Sequence, residues 1–255
     1  MKSTNEKTHD KNVEKVYANR ASVYNKAKWT KDQKFIGKII KFVSLRKNQL
    51  ALEIGIGTGL LAREAKKKLL DIYGIDSSRA MLNQLPREIK KANVVCMKAE
   101  KMPYLDKSFD VVYWRSVIMH VLDPQSIINE SFRVLKKGGQ MFMVEPVELT
   151  AENRKFIFDF INLKDDTHHY YFTKDDLYKR LKVAGYKKLD YTTHIETMPF
   201  NSWIEGGAVS NKRRERLKEY LINAPEKFKK EFEIKILPKD LSFNVKWIII
   251  KGKKI

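Results

Sequence analysis

Residues 50–59 read Leu50-Ala-Leu-Glu-Ile-Gly-Ile-Gly-Thr-Gly59, a short apolar run with an acid near its end and three glycines at alternate positions. Leu60 to Leu69 then reads as a helix. Glycine lets the backbone turn sharply and come close to a ligand, because no Cβ stands in the way. Strand, loop and helix in this order build a nucleotide-sized crevice at the carboxyl end of a sheet. The spacing narrows the ligand. A dinucleotide fingerprint in register with Gly55 and Gly57 needs its third glycine where Leu60 stands, and a P-loop needs Gly-Lys-Ser/Thr where Gly59 is followed by Leu60-Leu61. Asp71 to Asp76 reads as a second strand ending in an acid, placed to accept hydrogen bonds from ribose hydroxyls. With Glu53 before the loop and no basic residue in it, the loop suits a cationic ligand better than a pyrophosphate.

From residue 50 onward strands alternate with helices, a pattern that specifies a parallel sheet covered by helices. Strands are expected at 50–54, 71–75, 93–97, 109–114, 140–145, about 187–196 and 243–250, with helices near 58–69, 78–85 and 124–136. Thr173 caps a further helix that Gly185 stops. Residues 1–12 are polar and without periodicity and read as a disordered tail. Residues 13–255 then form one domain: a helical cap at 13–47, a core at 48–197, a helical insertion at 198–242 and a last strand at 243–251.

Four segments follow the glycine loop in order: Tyr73-Gly-Ile-Asp76-Ser-Ser, Ala99-Glu100-Lys-Met-Pro103, Ser108-Phe-Asp110-Val-Val and Leu135-Lys-Lys-Gly138-Gly139. Together with the loop they make the chain resemble the class I S-adenosylmethionine-dependent methyltransferases, and among these the ubiquinone/menaquinone-biosynthesis-like family. The resemblance is close over residues 48–146 and loose elsewhere. It implies a Rossmann-like α/β fold: a seven-stranded, mostly parallel sheet with an antiparallel edge strand, helices on both faces, and S-adenosyl-L-methionine as cofactor. Carried onto this chain, it implies that Gly55, Gly57 and Gly59 wall the methionine and ribose, and that Glu53 faces the amino group. Asp76 takes the ribose hydroxyls, Ser77 and Met81 border the adenine, and the backbone near Arg115 meets the methionine part. An N-terminal segment folds over the cofactor in this family, which makes Tyr17, Arg20 and Tyr24 candidates here. The family's Asp before Ala-Glu in the third-strand loop is replaced by Lys98. A lysine cannot accept a hydrogen bond, so the adenine contact falls to Glu100 or to backbone at Ala99.

On the acceptor side, the resemblance places the segment from Arg115 through His120. O- or C-methylation requires removal of a proton, and His120 is the expected general base. His169 and Tyr170, after the fifth strand, are expected to shape the acceptor site. Adjacent histidines point apart and suit a single metal ion poorly, so no metal is expected. No Asn-Pro-Pro-Tyr or Asp-Pro-Pro-Tyr occurs, which argues against methylation of a planar exocyclic amine.

Composition sets outer bounds. Cys96 is the only cysteine, which excludes an internal disulfide and a multi-cysteine metal site; its expected place is a buried strand. No run of eighteen apolar residues exists and the N-terminus lacks a signal-peptide core, so the expected location is cytoplasmic. A net charge of +20 admits attraction to nucleic acid or anionic lipid head groups, yet the lysines are scattered over nearly every helix, as on a solvated surface. The expected activity is methyl transfer to a small-molecule acceptor, quinone-like or otherwise apolar. The alternatives are an RNA or tRNA methyltransferase and a cofactor-binding regulatory protein without turnover. Oligomeric state is not encoded in any motif.

Overall fold

In a computed structural model, residues 4–90, 93–148, 150–205 and 207–255 are described. The elements in order are α1 (Thr4–Ala21), α2 (Gln33–Val43), β1 (Leu50–Ile54), α3 (Leu60–Lys66), β2 (Asp71–Asp76), α4 (Arg79–Leu82), α5 (Arg87–Lys90) and β3 (Val94–Cys96). They continue with β4 (Phe109–Arg115), α6 (Pro124–Val134), β5 (Leu135–Val147), α7 (Arg154–Lys164), α8 (Lys174–Ala184) and β6 (Lys187–Pro199). The chain closes with α9 (Phe200–Glu205), α10 (Asn211–Ile222), α11 (Glu226–Glu231), β7 (Lys235–Ile236) and β8 (Leu241–Lys253).

The strands form one sheet in the order β3-β2-β1-β4-β5-β8-β6, with the two-residue β7 added on β8. Strands β1 to β5 pair in parallel, while β8 runs antiparallel to both β5 and β6. The antiparallel pairing thus sits at this edge, with β6 as its border. From β1 the chain winds outward through β2 and β3, then returns to β4 on the other side. That reversal opens a crevice between the carboxyl ends of β1 and β4, where open α/β sheets bind their ligands.

Both faces of the sheet are buried, which is why β1 and β4 are apolar runs rather than alternating patterns. One face packs with α2 and α3 through Phe35, Ile39, Leu61 and Ala65; the other packs with α6 and α8 through Ile127, Ile128, Leu177 and Leu181. Local chemistry sets the helix starts. Asp32 accepts from the backbone N–H of Lys34 and Phe35 to begin α2, and Asp123 with Pro124 begins α6. Thr173 and Asp176 close a capping box at α8, and Gly185 ends that helix at φ 103°. Gly138 and Gly139 do not terminate α6. They lie inside β5, where the register shifts between Phe109 and Val111 of β4.

Two expectations need correction. Residues 4–12 belong to α1 rather than to a tail; residues 1–3 lie outside the described residues. Cys96 is half-buried on β3, the strand at the opposite border, where one side of the backbone has no neighbour strand. The insertion builds its own apolar cluster, in which α7, α9, α10 and α11 close over β8 through Phe160, Trp203, Leu217, Phe228 and Phe243. Among the described residues no helix is long and apolar enough to cross a membrane.

Candidate active site

A cavity of about 440 Å³ fills the crevice and runs from the glycine loop to the insertion. Its first half is built as the glycines require. Gly55, Gly57 and Gly59 adopt φ of 66°, 54° and 75°, a region that costs other residues about 1–2 kcal/mol. A Cβ on Gly55 would stand 2.3 Å from Val117 Cγ2, whereas one on Gly57 would meet Met81 and Asp76 only at ordinary contact distance, so positive φ is what requires glycine there. Gly59 does not border the cavity; it opens α3 and packs under Leu85, so its role is to aim the helix.

Asp76 closes the loop from below. Its Oδ2 accepts from Gly57 N at 2.8 Å and its Oδ1 from Ser78 N at 2.8 Å. Each carboxylate oxygen keeps a further lone pair for a ligand hydroxyl. Burial raises the Asp76 carboxyl above its usual range, and these two N–H groups oppose the rise. Ser77, Met81, Ala99 and Glu100 border the same end of the cavity, and Cys96 joins them. Lys98 does not reach for a base: its Nζ pairs with Asp10 of α1. The substitution therefore fastens the N-terminal helix over the cleft.

The end of β1 supplies an acid and the end of β4 a guanidinium. Glu53 is 3% exposed and its Oε2 has no hydrogen-bond acceptor role filled. Burial pushes its carboxyl up to about 8, against the pull of Tyr113 and Arg115. Arg115 donates through Nη1 to Thr30 O at 3.5 Å and lies against the rings of Phe35 and Trp247, while its Nη2 is buried without an acceptor. A buried carboxyl oxygen and a buried guanidinium nitrogen, both without a partner on one cavity wall, match the ammonium and carboxylate of an amino acid. The donor set thus fits a methionine zwitterion, a ribose diol at Asp76 and an apolar-edged base at Met81.

α1 roofs the cavity with His9, Asp10, Val13, Tyr17 and Arg20, and Tyr24 follows it. Asn25 Oδ1 accepts from Thr58 Oγ1 at 2.7 Å and ties this segment to the glycine loop. Sequence reading missed His9 and Asp10 because a polar helix has no apolar stripe to betray it.

The second half of the cavity centres on His120, which ends a single turn after β4 and is 9% exposed. Glu145 Oε1 holds that turn by accepting from Val117 N and Ile118 N at 3.2 and 3.4 Å. His120 Nδ1 lies 2.9 Å from Thr167 Oγ1, which donates to Asp165 Oδ1; Arg20 of α1 donates to Asp165 Oδ2. The His168 ring lies tilted against His120, with centroids 4.3 Å apart, and reaches Asp165 Oδ1 at 3.3 Å. Burial, then His168 and Arg20, depress the His120 pKa well below the ordinary histidine value, so the ring is neutral at pH 7. Ligand atoms of His120, Asp165 and His168 lie within 4.8 Å of one another. Both Asp165 oxygens already accept hydrogen bonds, however, and Arg20 supplies the positive charge an ion would bring. The cluster reads as a hydrogen-bonded network.

His169 and Tyr170 are not brought to the cavity. His169 Nε2 pairs with His9 Nδ1 at 2.9 Å, and Tyr170 donates to Leu122 O at 3.0 Å while stacking on Phe172. This segment is neither helix nor strand, and its backbone turns His168 and Tyr171 to the cavity instead. Beyond them Ile157, Phe160, Ile161, Met198, Trp203 and Phe243 make an apolar chamber, with the buried Lys164 donating to Trp203 O at 2.9 Å. These chamber residues were invisible in the sequence because an insertion's packing partners carry no motif.

Residues 52–143 match the family described as a methyltransferase domain. The chain is 24% identical over 249 residues to the uncharacterized methyltransferase YcgJ of Bacillus subtilis, covering 93% of this chain and 97% of that one. It is 28% identical over 116 residues to a demethylmenaquinone methyltransferase of Thermotoga maritima, covering 45% and 51%. Among solved structures, a candidate methyltransferase of Bacillus halodurans C-125 superposes with a TM-score of 0.79 at 25% identity, covering 86% of this chain and 98% of that one.

Proposed function

The chain belongs to the class I S-adenosylmethionine-dependent methyltransferases, and from this premise we infer that it methylates a small, largely apolar acceptor at oxygen or carbon. The observation that carries the reading is the continuity of the cavity. One end offers the zwitterion and ribose partners, the other an apolar chamber, and His120 stands between them. Its volume of about 440 Å³ falls within the range of small-molecule sites. Aromatic walls at Phe160, Trp203 and Phe243 suit a planar, quinone-like body. The named quinone-pathway methyltransferase among its relatives supports the same substrate class.

When bound, the cofactor supplies an electrophilic methyl group on a sulfonium. The protein's own part is orientation and proton transfer. Glu53, Arg115 and Asp76 fix the donor end, α1 excludes water, and the apolar chamber aligns the acceptor for in-line attack. Neutral His120 takes the proton that an acceptor hydroxyl or acidic carbon must lose.

The test begins with an organic extract of the purified protein, analysed by mass spectrometry for a co-purified acceptor. Radiolabelled methyl transfer then compares hydroxylated aromatic and quinol compounds with total RNA. Label in the small-molecule fraction that falls at least about 100-fold in His120→Ala, with cofactor affinity retained, supports the reading. Label confined to RNA overturns it.

A further inference from the structure

We propose that Thr167 and Asp165 are positioning residues that lock His120 in one tautomer, with the proton on Nδ1 and the lone pair on Nε2. The inference rests on the reading of His120 as the proton acceptor and deepens it.

Thr167 is fully buried and does not border the cavity, so it acts only through another side chain. Its hydroxyl stands between His120 Nδ1, 2.9 Å away, and Asp165 Oδ1. A threonine hydroxyl has a single proton to give. Against the cost of burial, His168 and Arg20 hold the Asp165 carboxyl well below its usual range, so Asp165 is ionised and can only accept. The Thr167 proton therefore goes to Asp165, and the hydroxyl faces His120 with a lone pair. Only a protonated Nδ1 can complete that contact. A neutral imidazole carries one N–H, which leaves Nε2 as the acceptor.

The rest of the surroundings hold this arrangement in place. Asp165 Oδ1 also accepts from Thr167 N at 3.0 Å, which fixes the hydroxyl's backbone, and Arg20 of α1 occupies the other oxygen. Tyr17 of α1 meets the imidazole edge-on at 5.6 Å and His168 covers it at 4.3 Å, so ring rotation would lose packing on two sides. The ring borders the cavity, and a lone pair on Nε2 is what an acceptor proton needs. The opposite tautomer would present an N–H and could not serve as a base.

The experiment is nitrogen NMR on protein labelled in its five histidines, with His120→Gln assigning the signals. The wild type is expected to show a protonated Nδ1 and an unprotonated Nε2 on His120. Thr167→Val keeps the shape and removes the hydroxyl, and is expected to release the ring to a mixture or to the Nε2–H form; Thr167→Ser is expected to restore the wild-type pattern. An Nε2–H form in the wild type overturns the proposal by itself, even if Thr167→Val fails to fold. So does an unchanged Nδ1–H form in a folded Thr167→Val. Once an acceptor is known, kcat should fall roughly tenfold or more in Thr167→Val with cofactor affinity unchanged. An Nδ1–H signal without any His120-dependent turnover would leave the tautomer lock standing and refute only the role given to His120.

Discussion

Glu53 and Arg115, near the carboxyl ends of adjacent strands, each leave one buried polar atom unpartnered in the same wall. With its carboxyl near 8, Glu53 is largely protonated at pH 7 in the ligand-free protein. A cofactor ammonium beside it favours the carboxylate, so binding should release about one proton per site. Calorimetry in two buffers of different ionisation enthalpy measures this release, and Glu53→Gln should abolish it; no release in the wild type would refute the placement of the amino group. The sign for stability follows from the same shift. A raised acid favours the folded state below its unfolded pKa of 4.5, and that stabilisation disappears as pH rises through about 8. Between pH 6.5 and 8 the ligand-free wild type should therefore lose more thermal stability than Glu53→Gln. At Gly55, alanine would meet both a positive φ and Val117 Cγ2 at 2.3 Å. Gly55→Ala should lower unfolding free energy by about 1–3 kcal/mol in a denaturant titration.

α1 is held to the body by polar side chains rather than by an apolar stripe: Lys98 with Asp10, Asn12 with Asp166, His9 with His169 and Arg20 with Asp165. Arg20 and Asp165 form a buried pair, but the more exposed contacts toward the start of the helix contribute about 0–1 kcal/mol each, so that part of the roof should open more readily than the sheet. Hydrogen exchange should be faster in α1 than in β1, β4 and β5 without ligand, and should slow in α1 when S-adenosylmethionine is added. An α1 whose exchange ignores the cofactor would contradict its role as a roof. The same feature explains what was legible beforehand. The glycine loop, Glu53 and Asp76 were readable because glycine geometry and strand-end acids leave a local signature. His9, Thr167 and the insertion's aromatics were not, because their roles arise only when distant elements meet. His169 and Tyr170 lay in the right segment, but the structure turns His168 and Tyr171 to the cavity, and an irregular segment has no period from which that choice could be read.

Across the molecule, the charge of +20 is spread over a surface whose central cavity has its own matched acids. Cofactor affinity should therefore change little between 50 and 200 mM salt, whereas binding dominated by a phosphate backbone would fall about 10³- to 10⁵-fold over that range. The parallel sheet covered by helices was foreseeable from the alternation of strands and helices; the way α7 and the insertion complete a chamber over β8 was not, since long-range packing leaves no periodic trace. All of these parts presuppose one event, the seating of a ribose on Asp76 beneath the glycine loop. The direct measurement is a calorimetric titration of S-adenosylmethionine into the wild type and Asp76→Ala. The structure predicts one site per chain and an affinity about 10- to 100-fold weaker in the variant, as expected for loss of a charged hydrogen bond. Equal affinities in two folded proteins would contradict the account.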